Sequence, residues 1–172
     1  MYLAAWRTGH TRTLCVMQTI LNMGYYADCY VLANDRTKEF VDRFLNTFVP
    51  NRKEQADIYE VPQFGDETDK EFDSADDLIQ HLELNVNIPY SIYWENVQDT
   101  EPRFANCFFT DDNNLIVGLG YNADDMTEND LLGKLMKFCG TELGYITYEQ
   151  PAPKNSSEFI AIAKSTNAQQ SI

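Results

Sequence analysis

Apolar positions in this chain change their period several times, and each change marks an element. Leu14, Met17, Ile20 and Leu21 recur at three- and four-residue steps, the spacing of a short helix closed by Gly24. ADCYVLAND, residues 27–35, is a β-branched and aromatic run that predicts a strand, with Asn34 or Asp35 placed to cap the helix after it. That helix, near residues 36–48, is the clearest in the chain. Phe40, Val41, Phe44, Leu45 and Phe48 form one stripe, Lys38, Glu39, Asp42 and Arg43 mostly take the other side, and Pro50 ends the run.

From Asn51 to Phe72 the sequence is polar and acidic, a stretch expected to be mobile; within it YEVPQF is limited by Pro62 to an edge strand or an extended loop. Ser74 and Asp77 resemble a capping box with Asp in place of Glu. They open a helix over residues 75–86, with Leu78, Ile79, Leu82 and Val86 facing inward. The period then becomes two: Tyr90, Ile92 and Trp94 share one face of a strand, and Ser91, Tyr93 and Glu95 the other. RFANCFFT and LIVGLGY are separated by DDNN at 111–114, so residues 103–121 read as a hairpin, because Asn and Asp tolerate the left-handed backbone of a tight reversal. Gly118 and Gly120 share a face of its second strand and leave room for a neighbour to approach.

Thr127 and Asp130 start a helix over residues 128–139 that Gly140 ends, with Lys134 and Lys137 near the negative end of its dipole. GYITYE reads as a strand, Pro151 and Pro153 as a turn, EFIAIA as a final strand, and residues 165–172 as a loose tail. The expected fold is α+β: one acidic domain over residues 25–164, with an antiparallel sheet of four or five strands centred on the 103–121 hairpin and packed against about three helices. Residues 1–24 form an N-terminal segment that the pattern does not tie to the domain.

Composition supports this size of core. The chain has 172 residues, 44% of them hydrophobic, and ten Phe, ten Tyr and two Trp supply bulky rings, which argues against disorder. Charge changes the picture more. The net charge is −14, and 20 of the 27 acidic residues lie between Glu54 and Asp130, opposed there only by Lys70 and Arg103. A block of one sign makes a strong field, which selects partners rather than folds. Thirteen bases without a dense patch disfavour direct nucleic-acid binding. No apolar run approaches the ~18 residues of a membrane span, and Leu14 to Met17 is too short for a signal sequence, so a cytoplasmic protein is expected.

Candidate chemistry is sparse. Cys15, Cys29, Cys107 and Cys139 are scattered, without a metal-binding or disulfide spacing, and read as buried free thiols. A nucleophilic cysteine would need a base; His10 and His81 are the two histidines, and spacing leaves a Cys107–His81 pair open. Asp111 with Asp112, and Asp124 with Asp125, could converge on a divalent cation, but an EF-hand spacing is absent and both pairs have turn or helix-start roles. GLG at 118–120 is only GxG, too little for a nucleotide cradle. No catalytic residue, metal or cofactor is assigned.

The acidic surface remains, with Tyr59, Phe64, Phe72, Tyr90, Tyr93, Trp94 and Phe104 near it as aromatic anchors inside a negative rim. The candidate partner-binding residues are Asp66, Glu67, Asp69, Glu71, Asp73, Trp94, Glu95, Asp99, Glu101, Asp111, Asp112, Asp124 and Asp125. Three further readings stand beside this one: a solubilising surface, a small enzyme or ligand-binding domain with an acidic, metal-assisted pocket, and a structural or assembly subunit that forms a homo-oligomer.

YSIYWEN at 90–96, FFTDDNNLIVGLG at 108–120 and GYITYEQPAP at 144–153 give the chain a texture that resembles the small acidic immunity proteins of bacterial polymorphic toxin systems and, more loosely, anti-defence inhibitors. The resemblance implies a non-catalytic inhibitor that blocks a basic partner such as a nuclease, with carboxylates standing in for phosphates. It transfers no contact residue, because such proteins span many folds.

Overall fold

Alternation builds the sheet, and the 103–121 hairpin lies at its middle. The structure, a computed structural model, describes residues 26–123, 125–148 and 150–169. The elements in chain order are β1 (Tyr26–Leu32), α1 (Lys38–Phe48), β2 (Arg52–Glu54), β3 (Tyr59–Val61), β4 (Lys70–Phe72), α2 (Ala75–Leu84), β5 (Tyr90–Asn96), β6 (Phe104–Phe109), β7 (Leu115–Asn122), α3 (Asp125–Cys139), β8 (Gly144–Thr147) and α4 (Ser156–Gln169). Six strands form an antiparallel sheet in the order β2-β5-β6-β7-β1-β8, and β3 and β4 form a separate two-stranded ribbon. The class is therefore α+β, with a larger sheet than the four or five strands expected and four described helices rather than three. The helix expected before Gly24, with His10 and Cys15, lies outside the described residues.

One face of the sheet is dry. Cys29 and Val31 of β1, Ile92 and Trp94 of β5, Cys107 and Phe109 of β6, and Val117, Leu119 and Tyr121 of β7 are buried there against Phe40 and Phe44 of α1, Leu78 and Leu82 of α2, and Leu135 of α3. The opposite face carries a smaller cluster: Tyr30, Phe108, Ile116 and Tyr145, covered by Phe159 and Ala163 of α4.

Several ends differ from expectation. Thr37 caps α1 by accepting from the Phe40 N–H, while Asp35 accepts from Thr37 and Asn34 donates across the fold to the Cys139 and Gly140 carbonyls that end α3. Ser74 caps α2 as the sequence indicated, and its hydroxyl donates back to Asp77. That helix stops at Leu84, so Val86 is exposed rather than inward-facing. α3 begins three residues earlier than expected, at Asp125.

EFIAIA is corrected from strand to helix. Glu158 donates its N–H to Asn155 Oδ1 at 2.9 Å, and Ser156 donates its N–H and hydroxyl to Asp112 Oδ2 at 3.0 and 2.5 Å, so the helix start is held from two directions. Phe159 and Ala163 then fall four residues apart on the buried side. This helix also takes in residues 165–169 of the expected tail.

Candidate functional site: an acidic and aromatic groove

The polar stretch after α1 folds back as the β3–β4 ribbon beside β5. Gln63 fixes it there: its side-chain amide donates to the Ser91 carbonyl and accepts from the Ser91 N–H, both at 2.8 Å, as a paired strand residue would. Gln55 adds a backbone bond to the Tyr93 carbonyl at 3.1 Å. Pro62 ends β3, as expected of an edge strand.

A groove of about 450 Å³ lies between the ribbon and β5. Glu60 and Glu71 face each other across the ribbon in register and both line it. Like charges placed directly opposite weaken a strand pair, so this arrangement costs stability unless a cation sits over it. Phe64, 92% exposed at the ribbon's turn, and exposed Ile58 flank the acids, and Tyr93, 40% exposed on β5, forms the far wall.

Commitment of carboxylates to internal donors divides the acidic block. Glu54 accepts from the Tyr59 hydroxyl and the Ala75 N–H, Glu83 from the Lys38 N–H, and Glu128 from the Tyr148 hydroxyl. Asp76 pairs with Lys38, Asp99 with Arg103, and Asp130 with Lys134. Glu101 accepts from the Asn122 side chain. By contrast, Glu60, Asp66, Glu67, Asp69, Glu71 and Asp73 are exposed, and their carboxylates take no hydrogen bond or ion pair from a described residue. Asp57, Glu95 and Asp111 are likewise exposed without such a partner, but the other six are concentrated on and beside the ribbon, where the field of the acidic block acts outward most densely.

The structure therefore brings together five of the sequence-predicted residues, Asp66, Glu67, Asp69, Glu71 and Asp73, and separates others from them. Glu95 is exposed on β5, two residues from Tyr93. Asp99 and Glu101 lie before β6, and Asp111 and Asp112 lie after it, roughly 17 Å away along a six-residue strand, so the thirteen do not form one patch. Asp112 is a structural acid. Although partial burial pushes its pKa up, hydrogen bonds from Ser156, Thr110 and Asn114 outweigh that and bring it down to about 2. Asp125 sits in the first turn of α3, and Asp124 lies outside the described residues. Trp94 is corrected as an anchor: at 2% exposure its ring belongs to the core, and Tyr59 and Tyr90 are buried as well.

Comparison with protein-family models, with curated proteins and with solved structures finds no match to this chain. The site is thus read from its own geometry. Cys107 is buried in the sheet, where burial raises its thiol pKa, while the His81 ring packs on Phe72 at 5.1 Å and meets Asn85 at 3.1 Å. Cys29, Cys107 and Cys139 are free and buried. No three His, Cys, Asp or Glu side chains converge among the described residues, and no described helix is long and apolar enough to cross a membrane.

Four participants in this surface were missed from the sequence: Ile58 and Glu60, and on the adjoining sheet face Asp28 and Asn106. Glu60 was hidden because its role depends on register with Glu71. Asp28 carried a signal, since it is the one charged residue that interrupts the apolar run of β1.

Proposed function

We propose that this protein is a non-catalytic, acidic protein-binding module that takes a basic partner against the ribbon groove, as an inhibitor of the immunity type would neutralise a basic effector such as a nuclease. The observation that carries this reading is the unpaired Glu60–Glu71 couple framed by exposed Phe64, Ile58 and Tyr93. Desolvated aromatic and aliphatic anchors supply affinity, and the acids around them steer a basic surface and set its orientation. A merely solubilising surface gives no reason to place apolar side chains in water beside the least compensated acids.

Binding of a basic partner recovered from native lysate, measured by calorimetry with the full chain, tests the reading. The double variant Glu60→Gln/Glu71→Gln is expected to weaken association about tenfold or more, and wild-type association to slow several-fold as salt rises. Unchanged binding by the double variant would refute the groove as the docking site.

A further inference from the structure

Next to the groove, sharing Gln55 and Tyr93 with it, a second cavity of about 280 Å³ opens on the sheet face that α4 leaves uncovered. Its floor is formed by side chains that lie over two glycines. Gly118 and Gly120 place no side chain on β7, so the Tyr30 ring covers the first and the Asp28 carboxylate and Phe104 the second; a Cβ on Gly118 would meet Tyr30 Cδ1 at 2.6 Å, and one on Gly120 would meet Asp28 Oδ1 at 2.9 Å. Phe104 and Tyr93 form walls, and no basic residue lines the cavity among the described residues.

Two polar groups in it lack partners. The Asp28 carboxylate takes no hydrogen bond or ion pair from a described residue. The Asn106 side chain, on a residue only 5% exposed, likewise has no side-chain hydrogen bond and lies on the cavity side of β6, in register with Gly118 and Tyr93. An amide and a carboxylate without internal partners are free to meet a ligand, and both carry acceptor oxygens. An anion would be repelled by Asp28, and an ammonium would surrender a tighter hydration shell. A guanidinium is flat, weakly hydrated, stacks on aromatic rings and presents several N–H donors to a carboxylate.

We propose that this trough is a guanidinium pocket that receives one arginine side chain of the basic partner. The source of the arginine rests on the docking reading above; the chemistry of the pocket does not. Burial holds the Asp28 pKa up at about 6, as expected of a carboxylate whose counter-charge arrives from outside.

Isotope-labelled full chain titrated with Nα-acetyl-arginine amide at pH 8, with the uncharged citrulline amide as control, tests the pocket by amide chemical shifts. Saturable shifts at Gly118, Gly120 and Asn106 are expected with the arginine compound only, weakened about tenfold in Asp28→Asn. Asn106→Ala, checked for a native spectrum, provides a second variant with a smaller loss. Equal shifts with citrulline, equal affinity in Asp28→Asn, or no saturable shift at these positions overturns the pocket. A trough that ignores arginine while Glu60→Gln/Glu71→Gln still weakens partner binding removes the pocket and leaves the docking reading standing. A trough that takes arginine while that pair changes nothing sustains the pocket and removes the docking reading.

Discussion

The two faces of the six-stranded sheet are made from the same strands by alternation, yet they have opposite characters. Beneath α1, α2 and α3 the inward-facing residues of β1, β5, β6 and β7 are apolar and sealed, apart from Asn96 at the end of β5. On the other side, α4 covers only the patch around Tyr30, Phe108, Ile116 and Tyr145, and the remaining rows present Asp28, Asn106, Tyr93 and Glu95 around two glycines. Burial of aliphatic and aromatic surface on the first face supplies most of the stability. That frees the second face to keep an unmatched carboxylate, an unmatched amide and an exposed ring, each of which is a poor choice for folding and a good one for recognition.

Mutations should separate the faces by size and sign of effect. Phe44→Ala, in the sealed layer, should lose about 3 to 5 kcal/mol in denaturant unfolding, whereas Tyr93→Ala on the open face should change stability by less than about 1 kcal/mol. A similar loss from both would erase the distinction. Gly118→Ala should cost about 1 to 3 kcal/mol, because Tyr30 is held between Phe108 at 5.5 Å and Tyr145 at 5.9 Å and cannot yield freely to the new methyl group.

Asp28→Asn should act in the opposite direction. Burial raises the folded-state pKa of Asp28 from 3.8 to about 6, so the folded protein holds this proton more tightly than the unfolded chain. Its contribution to stability is therefore most favourable below about pH 4 and declines as pH rises through 6. After allowance for the part of the carboxylate still screened by water, the variant should be about 1 kcal/mol more stable than wild type at pH 8 and equal to it near pH 4. Thermal melts across that range check the slope, and a variant less stable at pH 8 would show that Asp28 has a partner. The smallest effect is expected at Asp112, whose replacement by Ala removes acceptors from the start of α4 and should cost about 0.5 to 1 kcal/mol, visible as lost protection of the α4 amides in hydrogen exchange.

Much of the sealed face was legible in the sequence. The α1 stripe, the Ser74 cap, the β5 alternation and the 103–121 hairpin with its DDNN turn all stand, because period and cap chemistry are local properties. Gly118 and Gly120 do admit a close neighbour, as their shared face implied. EFIAIA failed because six residues cannot separate a period of two from one of 3.6, although Asn155 with Glu158 three residues on was a readable helix start. β2 and β4, three residues each, have too little pattern to detect and exist through pairing with β5 and β3. The open face was the least legible part, since which acids are free depends on contacts distant in sequence: Glu54 with Ala75, Asp112 with Ser156, Glu128 with Tyr148.

Recognition by one face, rather than attraction to net charge, is most directly tested by mapping where a short arginine-rich peptide binds the full chain, using amide shifts at about 0.1 M and about 0.5 M salt. The predicted result is a footprint confined to Glu60, Phe64, Glu71, Tyr93, Asn106 and the two trough glycines, weakening at the higher salt without moving. A footprint that instead follows acidic residues wherever they occur, including Asp76, Asp99 and Asp130, would contradict it.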